Sequence, residues 1–285
     1  MKFISFTRLG NCGFGALAED GVVDLTGRLA HDLTSLKALI AADRLEAAAA
    51  FAAGRPADFA LSDVTLLPVV PDAGKILCVG LNYETHRAET KRPDAKHPTM
   101  FTRYADSQIA HGQPMILPAV SDKLDYEGEM AVIIGKGGRN IPEDRALAHV
   151  AGYACYNDGT IRDWQRHTHQ FGPGKTFPGT GGFGPYMVTT DEVGDYSRLS
   201  IRTRLNGVVM QDAQLSDLIF PVERLIAYIS TYTPLSAGDV ILTGTPGGVG
   251  DRREPPLYMK AGDIIEVEID GLGRLVNPIA AETAM

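Results

Sequence analysis

Apolar and polar positions follow two rhythms along this chain, and the helical one is clearest over residues 220–232. There Val222, Leu225, Ile226 and Ile229 recur at helical spacing, which predicts a helix. Short apolar runs bounded by Gly, Pro and charged residues predict strands at 1–6, 13–18, 21–24, 76–79, 130–134, 150–156, 186–189, 199–205, 240–243 and 264–269. An Ala- and Leu-rich stretch at 33–53, with Asp32 placed to cap it, predicts another helix. Gly54, Pro56, Pro68 and Pro71 mark residues 54–72 as a linker. The expected organisation is therefore a small N-terminal α+β domain, residues 1–70, and a larger domain, residues 71–285. Residues 83–98 are charged, hold Pro93 and Pro98 and lack apolar periodicity, so a mobile loop with a helical turn is expected there. Strands outnumber helices and no βαβαβ rhythm appears. The pattern predicts a mixed, strand-rich α+β fold rather than a doubly wound sheet.

Composition narrows the function without choosing it. With 285 residues the chain can bury a full core, and 44% hydrophobic against 22% charged residues excludes widespread disorder. A formal net charge of −8 argues against a nucleic-acid partner. It leaves an anionic substrate open, because a bound cation reverses the local field. Cys12, Cys78 and Cys155 are widely spaced and form no CxxC, which fits core residues in a reducing compartment. The N-terminus shows no signal-peptide pattern and no apolar run approaches about 18 residues, so the expected location is the cytoplasm, with no membrane partner.

Candidate chemistry concentrates on a few acids. In Asp125-Tyr126-Glu127-Gly128-Glu129 strand alternation places Asp125, Glu127 and Glu129 on one face. Three like charges repel unless something neutralises them, and a solvated face is the plain alternative. The apolar run that follows argues for burial, and a carboxylate-only cluster suits Mg²⁺ or Mn²⁺ rather than zinc. Asp158 ends another strand, where an acid is ordinarily a turn residue. Lys175 lies in a Gly/Pro loop, ordinarily a surface position; beside a metal site it becomes a candidate for holding a developing oxyanion.

From about residue 74 to the end, the ordered motifs resemble the fumarylacetoacetate hydrolase family. They are Gly80-Leu81-Asn82-Tyr83-x-x-His86-x-x-Glu89, Asp125-Tyr126-Glu127-Gly128-Glu129, Asn157-Asp158 with Arg162-Asp163-Trp164-Gln165, Gly174-Lys175-x-Phe177, and the run Gly238–Gly250 containing Thr245-Pro246. The resemblance implies a β-roll catalytic domain, a homodimer, and Mg²⁺ or Mn²⁺ held by Glu127, Glu129 and Asp158. It implies that His86 takes a proton from water while Glu89 orients it, and that Lys175 and Gln165 stabilise an oxyanion. Thr245, with Arg103 and Tyr83 as further candidates, would hold a small anionic 2-oxo acid. The implied activity is metal-dependent hydrolysis of a carbon–carbon bond in an acylpyruvate-type (2,4-dioxo acid) substrate, in aromatic or small-acid catabolism. The alternatives are decarboxylation of an oxaloacetate-type acid, isomerisation or hydration of an unsaturated 2-oxo diacid, or a metal-binding module without catalysis. Pro178, Gly159-Thr160 and Arg87 depart from the family pattern and bear on pocket walls rather than on the acids.

Three other patterns carry less. Gly179-Thr180-Gly181-Gly182-Phe183-Gly184 matches GxGxxG formally, but a strand is predicted after it instead of a helix. His167 and His169 have no HExxH or paired thiolates beside them and read as solvated loop residues. No GxSxG nucleophile turn is present.

Overall fold

The computed structural model describes residues 1–93 and 95–283. Among the described residues the largest sheet has eleven strands. Across it run Gly21–Asp24, Asn11–Ala18, Lys2–Arg8, Gly181–Thr189, Val150–Asp158, Gly128–Ile134, Val240–Leu242, Ile76–Gly80 and Thr99–Arg103, with Thr65–Leu66 and Gln108–Ile109 attached beside the path. Neighbours are mostly antiparallel; Val240–Leu242 runs parallel to Ile76–Gly80. A second, five-stranded sheet carries Val208–Gln214, Ser200–Leu205, Ile264–Ile269, Gly273–Ala281 and Met115–Leu117.

The burial of each strand follows from its side-chain rhythm. Gly128–Ile134 is buried at every position. Met130, Val132 and Ile134 enter one apolar cluster, while Ala131 and Ile133 enter another on the opposite face. A strand covered on both faces reads as a continuous apolar run, as this one does. Ser200–Leu205 and Ile264–Ile269 instead alternate, burying Ile201, Thr203 and Leu205, and Ile265, Val267 and Ile269. Ile201, Val267 and Ile269 join the cluster of Met130 and Val132, so the two sheets close over one core. The helix Val222–Tyr232 lays Val222, Leu225, Ile226 and Ile229 into that same core.

The first seventy residues extend this framework. Lys2–Arg8 pairs antiparallel with Gly181–Thr189, with Phe3 opposite Met187. Phe3, Phe14, Leu36 and Leu39 share a buried cluster with Ile133, Ala154 and Phe183. The stretch at 54–72 thus connects two segments that share a sheet and a core. The single helix expected at 33–53 is two, Leu36–Ala41 and Leu45–Ala52, because Asp43 between them adopts φ 55°. Its cap is Ser35, whose hydroxyl accepts from the Ala38 N–H at 3.1 Å, and not Asp32.

Beyond two-residue strands, those not anticipated are Thr99–Arg103, Met115–Leu117, Val208–Gln214 and Gly273–Ala281. They are short, polar or, in the last, interrupted by Pro278. Val208–Gln214 and Gly273–Ala281 form hairpins with the strands before them, and Thr99–Arg103 and Met115–Leu117 pair with strands distant in sequence, so pairing outweighs weak intrinsic preference. The glycine-rich run from Gly181 begins a strand rather than a phosphate-binding turn. No helix among the described residues is long and apolar enough to cross a membrane.

Candidate active site

Three acids converge below a cavity of about 590 Å³. Glu129 comes from the start of the central strand and Glu127 from just before it, and Asp158 ends its antiparallel neighbour; Gly128 lies opposite Asn157 in that ladder. One oxygen from each acid lies within 4.8 Å of the others, and all three residues are buried. A Cβ on Gly128 would stand 2.1 Å from the Thr203 hydroxyl, so only glycine lets the acid-bearing segment sit this close to the second sheet.

Asp125 does not join them. The alternation that would align it breaks between Leu124–Asp125, which pairs with Thr160–Ile161, and the strand beginning at Gly128. Asp125 instead accepts from the backbone N–H of Gly250 (2.8 Å) and Asp251 (3.0 Å) and from Arg162 Nε (2.8 Å). It anchors the glycine-rich turn and an arginine.

Buried cations surround the triad. Lys175 Nζ is 2.5 Å from both Glu127 Oε2 and Asp158 Oδ2. Arg162 Nη2 stands 2.7 Å from Glu127 Oε1 and 2.7 Å from Asp125 Oδ2, an ionic contact shared between two carboxylates. Arg103 Nη1 lies 2.5 Å from Asp158 Oδ1. Burial pushes the Glu127 carboxyl up, but Lys175 and Arg162 overcome it and hold it at about 2. Burial likewise disfavours charged Lys175, yet Asp158 and Glu127 outweigh it and raise its pKa.

Among the described residues Glu129 has no such partner. Its Oε2 accepts the Gly244 N–H at 2.8 Å, and burial together with the Asp158 and Glu127 charges drives its pKa well above the ordinary carboxylate value. A buried acid in this position calls for a further cation. The all-oxygen donor set fits a hard divalent ion such as Mg²⁺ or Mn²⁺. Glu127, Glu129 and Asp158 would hold it.

His86 lines the same cavity, with Glu89 behind it. His86 Nδ1 is 2.6 Å from Glu89 Oε1 within the helix Glu84–Glu89. With a carboxylate accepting there, Nδ1 carries the proton and Nε2 is the nitrogen that exchanges one. Glu89 Oε2 accepts from the Gly248 N–H at 2.9 Å and the Thr85 hydroxyl from the Gly247 N–H at 3.0 Å, docking this helix on the glycine turn. The mobile segment expected at 83–98 thus begins with a docked helix; Asp94 lies outside the described residues.

The remaining candidates divide. Lys175, Gln165 and Thr245 line the cavity. Gln165 Oε1 accepts from Arg162 Nη1 at 3.1 Å, which leaves its amide N–H groups to donate. The segments carrying Lys175 and Gln165 approach closely at Gly174: a Cβ there would lie 2.4 Å from the Gln165 nitrogen. Thr245 Oγ1 accepts from Gln211 Nε2 at 2.7 Å. Arg103 and Tyr83 are corrections. Arg103 lies beneath the triad, its guanidinium taken up by Asp158, the Gly159 carbonyl and the Thr180 hydroxyl. Tyr83 is buried in the main apolar core, where desolvation raises its pKa. Neither borders the cavity.

Arg162 and Gln211 were missed as site residues. Arg162 had a signal, a basic residue one step beyond the strand that follows Asp158. Gln211 had none: it sits in an exposed-looking strand 83 residues from Gly128, whose N–H it accepts at 3.0 Å.

A strand-rich α+β scaffold that brings a buried carboxylate triad able to bind a divalent ion and an imidazole backed by a carboxylate to one cavity defines a class of enzyme. Residues 75–280 match the family model of the fumarylacetoacetate (FAA) hydrolase C-terminal domain. The chain belongs to the fumarylacetoacetate hydrolase family, whose members include hydrolases, isomerases and tautomerases. It is 42% identical over 220 residues to the mitochondrial oxaloacetate tautomerase FAHD2A of Homo sapiens, covering 76% of this chain and 70% of that one. The fumarylacetoacetate hydrolase of Exiguobacterium antarcticum superposes with a TM-score of 0.85 at 35% identity, over 99% of this chain and 100% of that one. A maleylpyruvate hydrolase from Sphingobium sp. SYK-6, solved with manganese(II) and pyruvate, gives 0.83 at 26% identity over the same shares.

Proposed function

We propose that this protein is a Mg²⁺- or Mn²⁺-dependent enzyme that moves a proton at the carbon beside the keto group of a small 2-oxo acid, interconverting keto and enol forms of an oxaloacetate-type substrate. One observation carries the reading: His86, backed by Glu89, faces the same cavity as Glu127 and Glu129, the two triad acids that line it. The bound metal would supply Lewis-acid stabilisation of enolate charge.

The chain's own residues do the rest. His86 Nε2 takes the C3 proton, and Glu89 on Nδ1 stabilises the imidazolium that results. The C–H electron pair becomes the C2–C3 double bond, and the carbonyl pair moves to O2. The Lys175 ammonium and the Gln165 amide N–H groups steady that oxygen until a proton completes the enol. Thr245 holds the C1 carboxylate. The sequence relatives support this reading, since those at 41–42% identity include several oxaloacetate tautomerases.

Hydrolysis of an acylpyruvate is the second reading. It is favoured by the cavity, roomier than a four-carbon acid needs, and by the paired donors Lys175 and Gln165. Here His86 would activate water, which attacks the distal carbonyl; the C–C bond breaks to give a carboxylate and pyruvate enol. Two assays with added Mn²⁺ test the pair: ultraviolet absorbance of oxaloacetate enol, and pyruvate release from acetylpyruvate. Acceleration of the first without the second supports tautomerisation, and the reverse overturns it in favour of hydrolysis.

A further inference from the structure

Proton transfer or hydrolysis uses the inner part of the cavity, yet the cavity is also lined by Arg92, Arg166, His167, His169 and Arg252. This basic rim belongs to a protein whose formal net charge is −8. Two of its arginines share one acid. Arg166 Nη2 is bonded to Asp251 Oδ2, and Arg252 Nε lies 3.4 Å from the same oxygen. The other oxygen, Oδ1, accepts from the Tyr258 hydroxyl at 2.9 Å. One carboxylate against two guanidinium groups leaves surplus positive charge at the rim.

The pair is also held in register with the triad. The Asp251 N–H donates to Asp125, Asp125 holds Arg162, and Arg162 contacts Glu127. The Asp251 side chain is only 5% exposed, whereas those of Arg166 and Arg252 are 49% and 39% exposed. A buried pedestal thus carries two half-exposed forks. A guanidinium has five N–H donors, so one contact with Asp251 leaves enough of each to receive a carboxylate on two prongs.

We propose that Arg166 and Arg252, seated on Asp251, form a subsite for a second carboxylate, making the enzyme selective for 2-oxo dicarboxylic acids over monoacids of the same length. This rests on the 2-oxo acid reading above. Both arginines meet solvent, so water and salt screen the contact, and the selectivity is about tenfold rather than the much larger factor of a sealed site.

The test is calorimetric binding to the Mn²⁺-loaded protein with 2-oxoglutarate and 2-oxopentanoate, which share a five-carbon chain and differ in the distal carboxylate. Wild type should bind the diacid about tenfold more tightly at low salt and lose most of that preference at about 0.5 M salt. Arg166→Gln with Arg252→Gln should abolish the preference and leave the monoacid affinity within about twofold. Each single variant should lie between, and melting temperatures confirm folding of all three. Equal binding of the two acids by wild type, or equal weakening of both in the double variant, overturns the subsite. Wild type that turns over a 2-oxo acid without this preference refutes the subsite alone; wild type that binds neither acid with Mn²⁺ present refutes the subsite and the 2-oxo acid reading together.

Discussion

The floor of the cavity and its rim are both crowded with charge, and they handle it in opposite ways. On the floor, Asp125, Glu127 and Asp158 are each matched by a buried cation at 2.5–2.8 Å, and Glu129 alone lacks one. At the rim, two arginines share one acid and face water. Buried charge must be compensated at fixed geometry or it unfolds the protein, so the floor is rigid by necessity and suited to bond-making. Exposed charge is screened and cheap to rearrange, so the rim suits selection of what enters.

If the floor is a metal site, stripping the metal should have the largest effect. Incubation with excess EDTA should reduce turnover to background, and Mn²⁺ or Mg²⁺ should restore it while zinc does not. Full activity in chelator would break the comparison at its base, because Glu129 would then have no cation to wait for.

The next effect separates chemistry from binding within the inner region. His86→Ala removes the base, and loss of a general base costs about 10²–10⁴-fold in rate. The variant should keep its Mn²⁺ affinity, since His86 is absent from the triad. Paired measurements of kcat and Mn²⁺ titration decide it; a parallel fall in metal affinity would make His86 a ligand rather than a base.

Arg103→Met probes the same floor from beneath. It leaves Asp158 buried with one of its compensating cations removed, and breaking such a pair costs about 3–5 kcal/mol. Denaturant unfolding of the metal-free protein should show this loss, whereas Arg166→Gln at the rim should stay within about 0.5 kcal/mol of wild type. Comparable losses at the two positions would erase the distinction between floor and rim.

The same contrast explains what could be read from the chain. The floor was legible because its acids sit at strand ends beside apolar runs: Glu127-Gly128-Glu129 before Met130, and Asp158 after Tyr156. Alternation misplaced Asp125, since it cannot register a strand break of two residues. Tyr83 lies close in sequence to His86, which lines the cavity, but turns away into the core, and Arg103 turns beneath the triad, a choice made by packing. The rim was illegible. Arg166 and Arg252 are separated by 86 positions, and nothing local marks either as a partner of Asp251. The helix Val222–Tyr232 appeared nearly in full because its apolar stripe is local, whereas Met115–Leu117 is a strand through its pairing with Gly273–Ala281, far along the chain.

The smallest predicted effect asks whether the floor is complete without its metal. Lys175 Nζ already touches two of the three acids, so in the metal-free protein it acts as their counter-ion. A divalent ion drawn to the same oxygens meets a positive charge a few ångströms away and must bind against it. Lys175→Met removes that competitor and leaves the acids in place. Metal affinity should therefore rise by about tenfold, or about 1.4 kcal/mol, measured by Mn²⁺ titration. Turnover should fall at the same time, because an oxyanion donor is lost. The metal-free variant should melt lower than wild type, and saturating Mn²⁺ should raise its melting temperature by more than it raises that of wild type. Weaker Mn²⁺ binding in the variant would mean that Lys175 shapes the ligand set instead of competing for it. The floor would then be a preformed cage whose lysine belongs to the metal-bound state, and the open position beside Glu129 would be the only place where the ion's charge is needed.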